Sequence, residues 1–440
     1  NVLRILDIPQ VVAMAAERSH IRILGSDRRA LDYVIQTAAN LNWPEQHIRI
    51  EKTASDLPEP SCDFTFEPHV IDPEAGKICY AVVLADVDTD GHDDIVVVTE
   101  EAVLWYKNPN THGRWVKQDI IRRKTPRDNV CIAPQDIDGD GLIDFALGAG
   151  WPKQGSLHWL TRDGNLRRPW TVHDIGPMPS THRMYWGDVL GQGRPQLVVS
   201  PLTAQKGMPG VNLTAFSIPD KPSTDRWIPT ILDQQLNRLH GHMHIDLDRN
   251  GTVDTITASQ EGIHCISKTH PGFSRTHLSP GVQDDDANAH GAGEICIGRS
   301  SSGKQFLVAV EPMHGSAISV LTPSHSTNSS TWDRRIIDDG YSRGHAIATA
   351  DINGDGNDEI IFGSSDASDQ PGYGPTLAVY SKLETPSPHD SPAWHRTILD
   401  KGGIAVEAIA VGDLSGDGVP DIVAVGRSTH NVKLFIANKK

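Results

Sequence analysis

A short acidic motif that returns five times constrains this chain more than any other feature. It reads DVDTDGHDD from Asp86, DIDGDGLID from Asp136, DLDRNGTVD from Asp246, DINGDGNDE from Asp351 and DLSGDGVPD from Asp413. Each copy lies between two apolar runs of strand length, and self-similarity of this kind marks a repeat architecture. Two further copies are eroded: DVLGQGRPQ from Asp188, and a stretch from Cys296 to Phe306 that keeps no acidic loop.

Positions 1, 3, 5 and 9 of the five acidic copies carry oxygen-bearing side chains, and position 6 is Gly. A tight loop turns the first three inward, Gly permits the bend, and the ninth closes the shell. Hard oxygen ligands on a flexible loop suit Ca²⁺. The expected ligands are Asp86, Asp88, Asp90 and Asp94; Asp136, Asp138, Asp140 and Asp144; and Asp246, Asp248, Asn250 and Asp254. Asp351, Asn353, Asp355 and Glu359 form the fourth set, and Asp413, Ser415, Asp417 and Asp421 the fifth. Up to five structural Ca²⁺ ions are therefore expected. The net charge of −16 is largely a consequence of these loops. That charge argues against a phosphate-tracking nucleic-acid binder.

A second signal repeats with the first. Each unit ends in a strand led by an aromatic residue: Trp115, Trp170, Trp227, Phe273, Trp332 and Trp394. Another apolar strand, such as AVLWYKN, SAISVLTP or PTLAVYSK, lies between the acidic loop and that strand. Four strands per unit of roughly 50–60 residues suit a propeller blade. The last unit, ending HNVKLFIANKK, lacks its aromatic fourth strand, and FEPHVID near the start, with Phe66, supplies one. The expected fold is all-β: a seven-bladed β-propeller over residues 62–440 whose N-terminal strand closes the last blade and removes a free sheet edge.

Residues 1–61 do not follow the repeat. They read as a small α/β appendage, with strands IRIL and HIRIEK around one helix from Asp27 to Leu41. Five cysteines (Cys62, Cys79, Cys131, Cys265 and Cys296) are too few for a disulfide framework in 440 residues. No run of about 18 apolar residues exists, so no membrane-spanning helix and no membrane insertion are expected. The chain starts at Asn1 without a signal-like apolar stretch, and any leader is expected to be absent or already removed.

The acidic loops and flanking strands resemble the FG-GAP and VCBS repeats of integrin α-type and secreted bacterial propellers, over about residues 62–440. The chain is also similar to the seven-bladed propellers of aldos-2-ulose dehydratases and of rhamnose–glucuronate lyases. That resemblance implies bound calcium and a metal in the central cleft. It implies a carbohydrate substrate as well.

Registering each blade on the first Asp of its acidic loop and reading six residues upstream gives Tyr80, Val130, His182, His240, His345 and Glu407, with His290 taken for the eroded blade. Four histidines at one repeat position are improbable when 21 residues in 440 are His. The position begins the innermost strand, so it lies roughly 20 Å from the acidic loop at the strand's other end. Imidazoles converging on an axis suit one divalent transition metal, with Zn²⁺ the first expectation and a carboxylate as an optional ligand. His182, His240, His290, His345 and Glu407 are the axial candidates, and His240, His290 and His345 the first choice. His242 and His244 share strand parity with His240 and are expected to support it.

Loops on the same face carry Trp151, Lys153, Glu261, Glu311, His314 and Tyr373, and the blade crossovers add Arg183, Arg238, Tyr341 and Arg343. His314, Tyr341, Tyr373 and Lys153 are acid–base candidates, and Arg183 and Arg343 are candidates to hold a carboxylate. The expected activity is a carbohydrate lyase or dehydratase working by β-elimination on a sugar or uronate. The alternative is a non-catalytic, calcium-stabilised propeller that binds carbohydrate or protein. Calcium staples of this kind suggest a secreted or periplasmic protein.

Overall fold

The computed structural model describes residues 21–24, 48–51 and 64–439, apart from short stretches at 111–112, 153, 167, 285, 287–288, 325–330 and 384–393. The chain divides into two compact units, Asn1–Cys62 and Asp63–Lys440. In the first, Ile21–Leu24 and Ile48–Glu51 pair in parallel. The helix expected from Asp27 to Leu41 lies outside the described residues, as does Cys62.

The second unit is a seven-bladed β-propeller: seven four-stranded antiparallel sheets, with no α-helix among the described residues. Nor is any helix long and apolar enough to cross a membrane. The blades begin with the strands Cys79–Ala85, Cys131–Gln135, Thr181–Gly187, Gly241–Ile245, Ile295–Arg299, Gly344–Ala350 and Val406–Gly412. We number the blades 1 to 7 in that order. In blade 7 the N-terminal strand Phe64–Asp72 pairs along Val432–Lys439, with Phe66 opposite Ala437.

Physical chemistry dictates which strand goes where. The second strand of each blade is an unbroken buried run, such as DIVVVT at Asp94–Thr99 and EIIFGS at Glu359–Ser364. A strand covered on both faces needs apolar residues at every position. The fourth strand alternates exposed and half-buried residues, as WDRRIID does at Trp332–Asp338, because it forms the rim. Innermost strands pack on the innermost strands of neighbouring blades, so the start of each one faces the axis.

The acidic loops take one shape. The first Asp accepts the backbone N–H of the Gly at position 6, at 2.9 Å for Gly91 on Asp86, 3.0 Å for Gly141 on Asp136 and 2.8 Å for Gly251 on Asp246. These glycines sit at φ +88°, +84° and +88°, where a Cβ would strain the turn. The closing acid accepts the N–H of position 2, as Asp94 does from Val87 and Glu359 from Ile352. Blade 3 keeps the turn with only its first acid, since Asp188 still accepts from Gly193 and Gln196 replaces the closing carboxylate.

Candidate functional site

At the other end of the inner strands, three imidazoles meet. His240 directly precedes the inner strand of blade 4, His345 lies at the start of that of blade 6, and His314 comes from the loop between the second and third strands of blade 5. Each offers a ring nitrogen within 4.8 Å of the others. His240 Nε2 lies 2.9 Å from His314 Nε2. Two bare lone pairs at that separation would repel, so a proton or a cation belongs between them. The His314 and His345 rings stack with centroids 4.6 Å apart, and His240 meets His345 edge-on at 5.2 Å. His314 holds φ +55°, a conformation uncommon for a non-glycine residue and concentrated at functional sites.

The neighbours set the protonation of these rings. His345 Nδ1 lies 2.6 Å from the backbone oxygen of Glu407. A carbonyl only accepts, so Nδ1 carries the proton and Nε2 presents its lone pair to the cluster. Burial, then the charge of Arg183, pulls His240 well below the ordinary imidazole value, and burial pulls His345 down to about 3. Neutral imidazoles are the form in which His binds a metal.

Two carboxylates flank the triad, Glu407 buried and Glu294 half-buried. Glu294 accepts from Arg183 Nε at 3.0 Å, and its Oε1 lies 3.0 Å from His240 Nδ1, off the line a hydrogen bond requires. Gly241 makes this approach possible: a Cβ there would stand 2.6 Å from the Gly293 oxygen and 3.0 Å from Glu294 Oε2. Glu407 is gripped by Arg427, its Oε1 lies 3.6 Å from His345 Nε2, and its Oε2 is buried without a partner. Burial raises the Glu407 carboxyl above its usual range. A cavity of about 160 Å³ runs along the axis, lined by Tyr80, Arg183, Glu294, His345 and Glu407 and by apolar side chains of the inner strands.

Several expected residues lie elsewhere. His290 is half-buried and engages the backbone oxygen of Asp284, away from the triad, so His240, His290 and His345 do not form a set. The ring position of blade 5 belongs to Glu294. The turn of that blade begins at Ser300, directly after the strand ends at Arg299, and six residues upstream of Ser300 is Glu294. The missing Asp hid the register.

His182 is buried with its ring centroid 4.5 Å from that of His240 but outside the triad. Glu407 likewise flanks the triad. His242 and His244 bond to the Val198 oxygen and the Thr255 hydroxyl, not to His240.

Tyr341 shares a hydrogen bond with Tyr380 and packs on Tyr373, over which Arg396 lies at 4.1 Å. Those contacts form a packed group that does not include the triad. Arg183 is committed to Glu294, and Arg343 makes only a long 3.9 Å contact with Asp366. Glu261 is held by Asn237 and Ser259, and Glu311 by Ser319 and Arg334. Lys153 lies outside the described residues.

In the acidic loops, three groups of carboxylates converge: Asp86, Asp88 and Asp90; Asp136, Asp138 and Asp144; and Asp246, Asp248 and Asp254. Asp88 Oδ1, Asp144 Oδ1 and Asp254 Oδ1 are buried without partners. Burial pushes Asp94 and Asp144 up to about 6 and Glu359 up to about 8.

Residues 154–324 match the family described as aldos-2-ulose dehydratase, beta-propeller domain, and residues 86–147 match the FG-GAP-like repeat. The first stretch contains His182, His240, Glu294 and His314. Aldos-2-ulose dehydratase of Phanerodontia chrysosporium is 26% identical over 287 residues, covering 57% of this chain and 31% of that protein. The chain therefore spans about a third of the length of that curated relative.

Two solved structures are also similar. An Agrocybe aegerita lectin that recognises non-reducing terminal N-acetylglucosamine is 14% identical with a TM-score of 0.46, covering 81% of this chain and 93% of the lectin. The PQQ-bound aldose sugar dehydrogenase of Streptomyces coelicolor is 9% identical with a TM-score of 0.43, covering 85% and 99%. The chain is a seven-bladed β-propeller with an FG-GAP-like repeat at residues 86–147, similar to the propeller domain of aldos-2-ulose dehydratase.

Proposed function

We propose that this propeller is a carbohydrate dehydratase whose active site is the axial cluster of His240, His314 and His345. The observation that carries the reading is three convergent neutral imidazoles at a channel mouth with an unpartnered buried carboxylate oxygen, Glu407 Oε2, beside them. The donor set fits a divalent ion such as Zn²⁺: three nitrogens, an anchored tautomer at His345 and a carboxylate against His240. Bound there, such an ion would polarise a substrate carbonyl as a Lewis acid.

The protein's own groups supply the rest. The relative's name specifies an aldos-2-ulose, a sugar whose carbonyl acidifies the neighbouring C–H bond. Glu407, fixed by Arg427 through one oxygen, takes that proton on the other. The C–O bond on the next carbon then breaks, and Glu407 returns the proton to the departing hydroxyl. The balance is loss of one water and gain of one C=C bond. Arg343 is close enough to depress the triad imidazoles and favours the enolate charge.

The acidic loops hold structural Ca²⁺ in the same proposal. Their unpartnered buried oxygens and raised carboxyls are what a cation would relieve. Such loops suit a calcium-rich, secreted or periplasmic setting.

The test combines metal analysis with an ultraviolet assay. After calcium exchange, one equivalent of transition metal and new absorbance from an unsaturated product of D-glucos-2-ulose are expected, both lost in a folded His240→Ala/His345→Ala variant. A protein with no such metal and no product from this sugar or from uronate-containing glycans overturns the dehydratase and leaves a binding propeller.

A further inference from the structure

Most polar side chains at the ring position are spoken for. Tyr80 bonds to Asp128, Glu294 to Arg183, Glu407 to Arg427, and His345 to the Glu407 backbone. His240 faces His314 and Glu294. His182 differs. It is 6% exposed, and neither ring nitrogen has a partner.

The ring of Trp151 lies 6.3 Å away, and its Nε1–H is likewise buried and unpartnered. The two residues come from adjacent blades. Trp151 sits on the loop between the second and third strands of blade 2, and His182 starts the inner strand of blade 3.

The nitrogens of His182 fall outside the group formed by His240, His314 and His345, and both are buried without a partner. We infer that His182 and Trp151 form a second subsite beside the triad, one that reads the hydroxyl groups of a neutral sugar ring. This rests on the dehydratase reading above, whose chemistry the triad carries.

The match is one of donors and acceptors. A neutral imidazole offers one N–H and one bare nitrogen, and the indole adds a second N–H and an apolar face. A hydroxyl both donates and accepts, so adjacent sugar hydroxyls satisfy both rings while the sugar's C–H face lies on the indole. A carboxylate only accepts and would leave the bare nitrogen unfilled. An apolar ligand would leave both donors buried and unmet. The sugar's carbonyl end would then face the triad and its hydroxylated body would face His182 and Trp151.

Calorimetry with D-glucos-2-ulose on the full chain, together with metal content, tests this. His182→Leu is expected to weaken sugar binding on the order of tenfold at unchanged metal content. Trp151→Phe keeps the ring, removes the donor and is expected to weaken binding about threefold. His182→Gln, which restores a donor and an acceptor, is expected to recover most of the affinity.

Loss of the metal from folded His182→Leu assigns that residue to the ion and overturns the subsite. Unchanged affinity in both variants overturns it too, as does a wild-type protein that does not bind the sugar. If His182→Leu fails to fold, Trp151→Phe decides alone. Because calorimetry needs no turnover, sugar binding that falls in these variants without any unsaturated product removes the dehydratase and leaves the subsite standing.

Discussion

The same inner strands carry two kinds of site at their opposite ends, and the two were built by different means. At one end, each acidic loop draws its ligand positions from one contiguous stretch of about nine residues, and one blade's loop repeats the next. At the other, no blade supplies more than two residues. His240, Glu294, His314, His345 and Glu407 come from four blades, and His314 and Arg427 lie outside the ring register altogether. Under the proposed function, the first end stabilises a scaffold by repetition and the second acquires chemistry where the repeat has been broken.

The largest expected effect separates the two ends by their metals. A ligand bound only to the folded state stabilises it by about 2.7 kcal/mol per site at 100-fold excess over Kd. With several loops loaded as proposed, calcium would be the dominant external contribution. Adding EGTA is expected to lower Tm by on the order of 10 °C. Reloading with Zn²⁺ alone should not restore it. An unchanged melt would mean that the hydrogen bonds of the turns hold the loops without ions, and the contrast between the ends would then be one of shape only.

That contrast also explains what could be read from the sequence. The blade count and the loop positions were legible because each is stated several times over, five oxygen-rich loops with Gly at position 6 outweighing the noise in any one, and the closure by Phe64–Asp72 was legible because the last unit lacks a fourth strand. His240 and His345 were legible because they share a register. Glu294 was not, because blade 5 has lost the Asp that marks the register. His314 was picked out only as a loop acid–base candidate, since nothing local says that a left-handed residue in blade 5 reaches blade 4. Arg183 was read as a substrate clamp because sequence does not show that its charge is consumed 111 residues away. Long-range pairing at a broken repeat position has no periodic signature.

A middle-sized effect tests whether the mouth is held by that pairing. Arg183 and Glu294 are both 12% exposed, so Glu294→Ala leaves a buried guanidinium unpaired. Breaking a buried pair from one side costs about 3–5 kcal/mol. The same substitution removes the carboxylate beside His240 and is expected to weaken the axial ion 10–100-fold, read by competition with a chelating dye. Glu294→Gln keeps the volume and should recover part of the stability but not the metal affinity. Equal metal affinity in all three proteins would show that Glu294 serves Arg183 alone. In the acidic loops, by contrast, calcium content should stay constant throughout the series.

The smallest effect asks whether a buried histidine in this fold implies a site at all. His264 sits in the third strand of blade 4, 6% exposed, with His277 at a 5.0 Å ring separation and away from both ends of the inner strand. Burial, then the charge of His277, lowers it from 6.5 to about 4. The unfolded chain therefore binds a proton between pH 6.5 and 4 that the folded chain refuses. Stability is full above 6.5 and falls as the pH drops toward 4, by at most about 1.4 kcal/mol per pH unit for one proton. His264→Leu should reduce the acid-side fall of the urea midpoint by one proton's share, the remainder belonging to buried imidazoles such as His240, His244 and His345, while leaving the axial metal and sugar binding as they are. If the acid slope persists unchanged, the proton is taken up elsewhere. If the axial metal falls with His264, the mouth extends further into blade 4 than its inner strand.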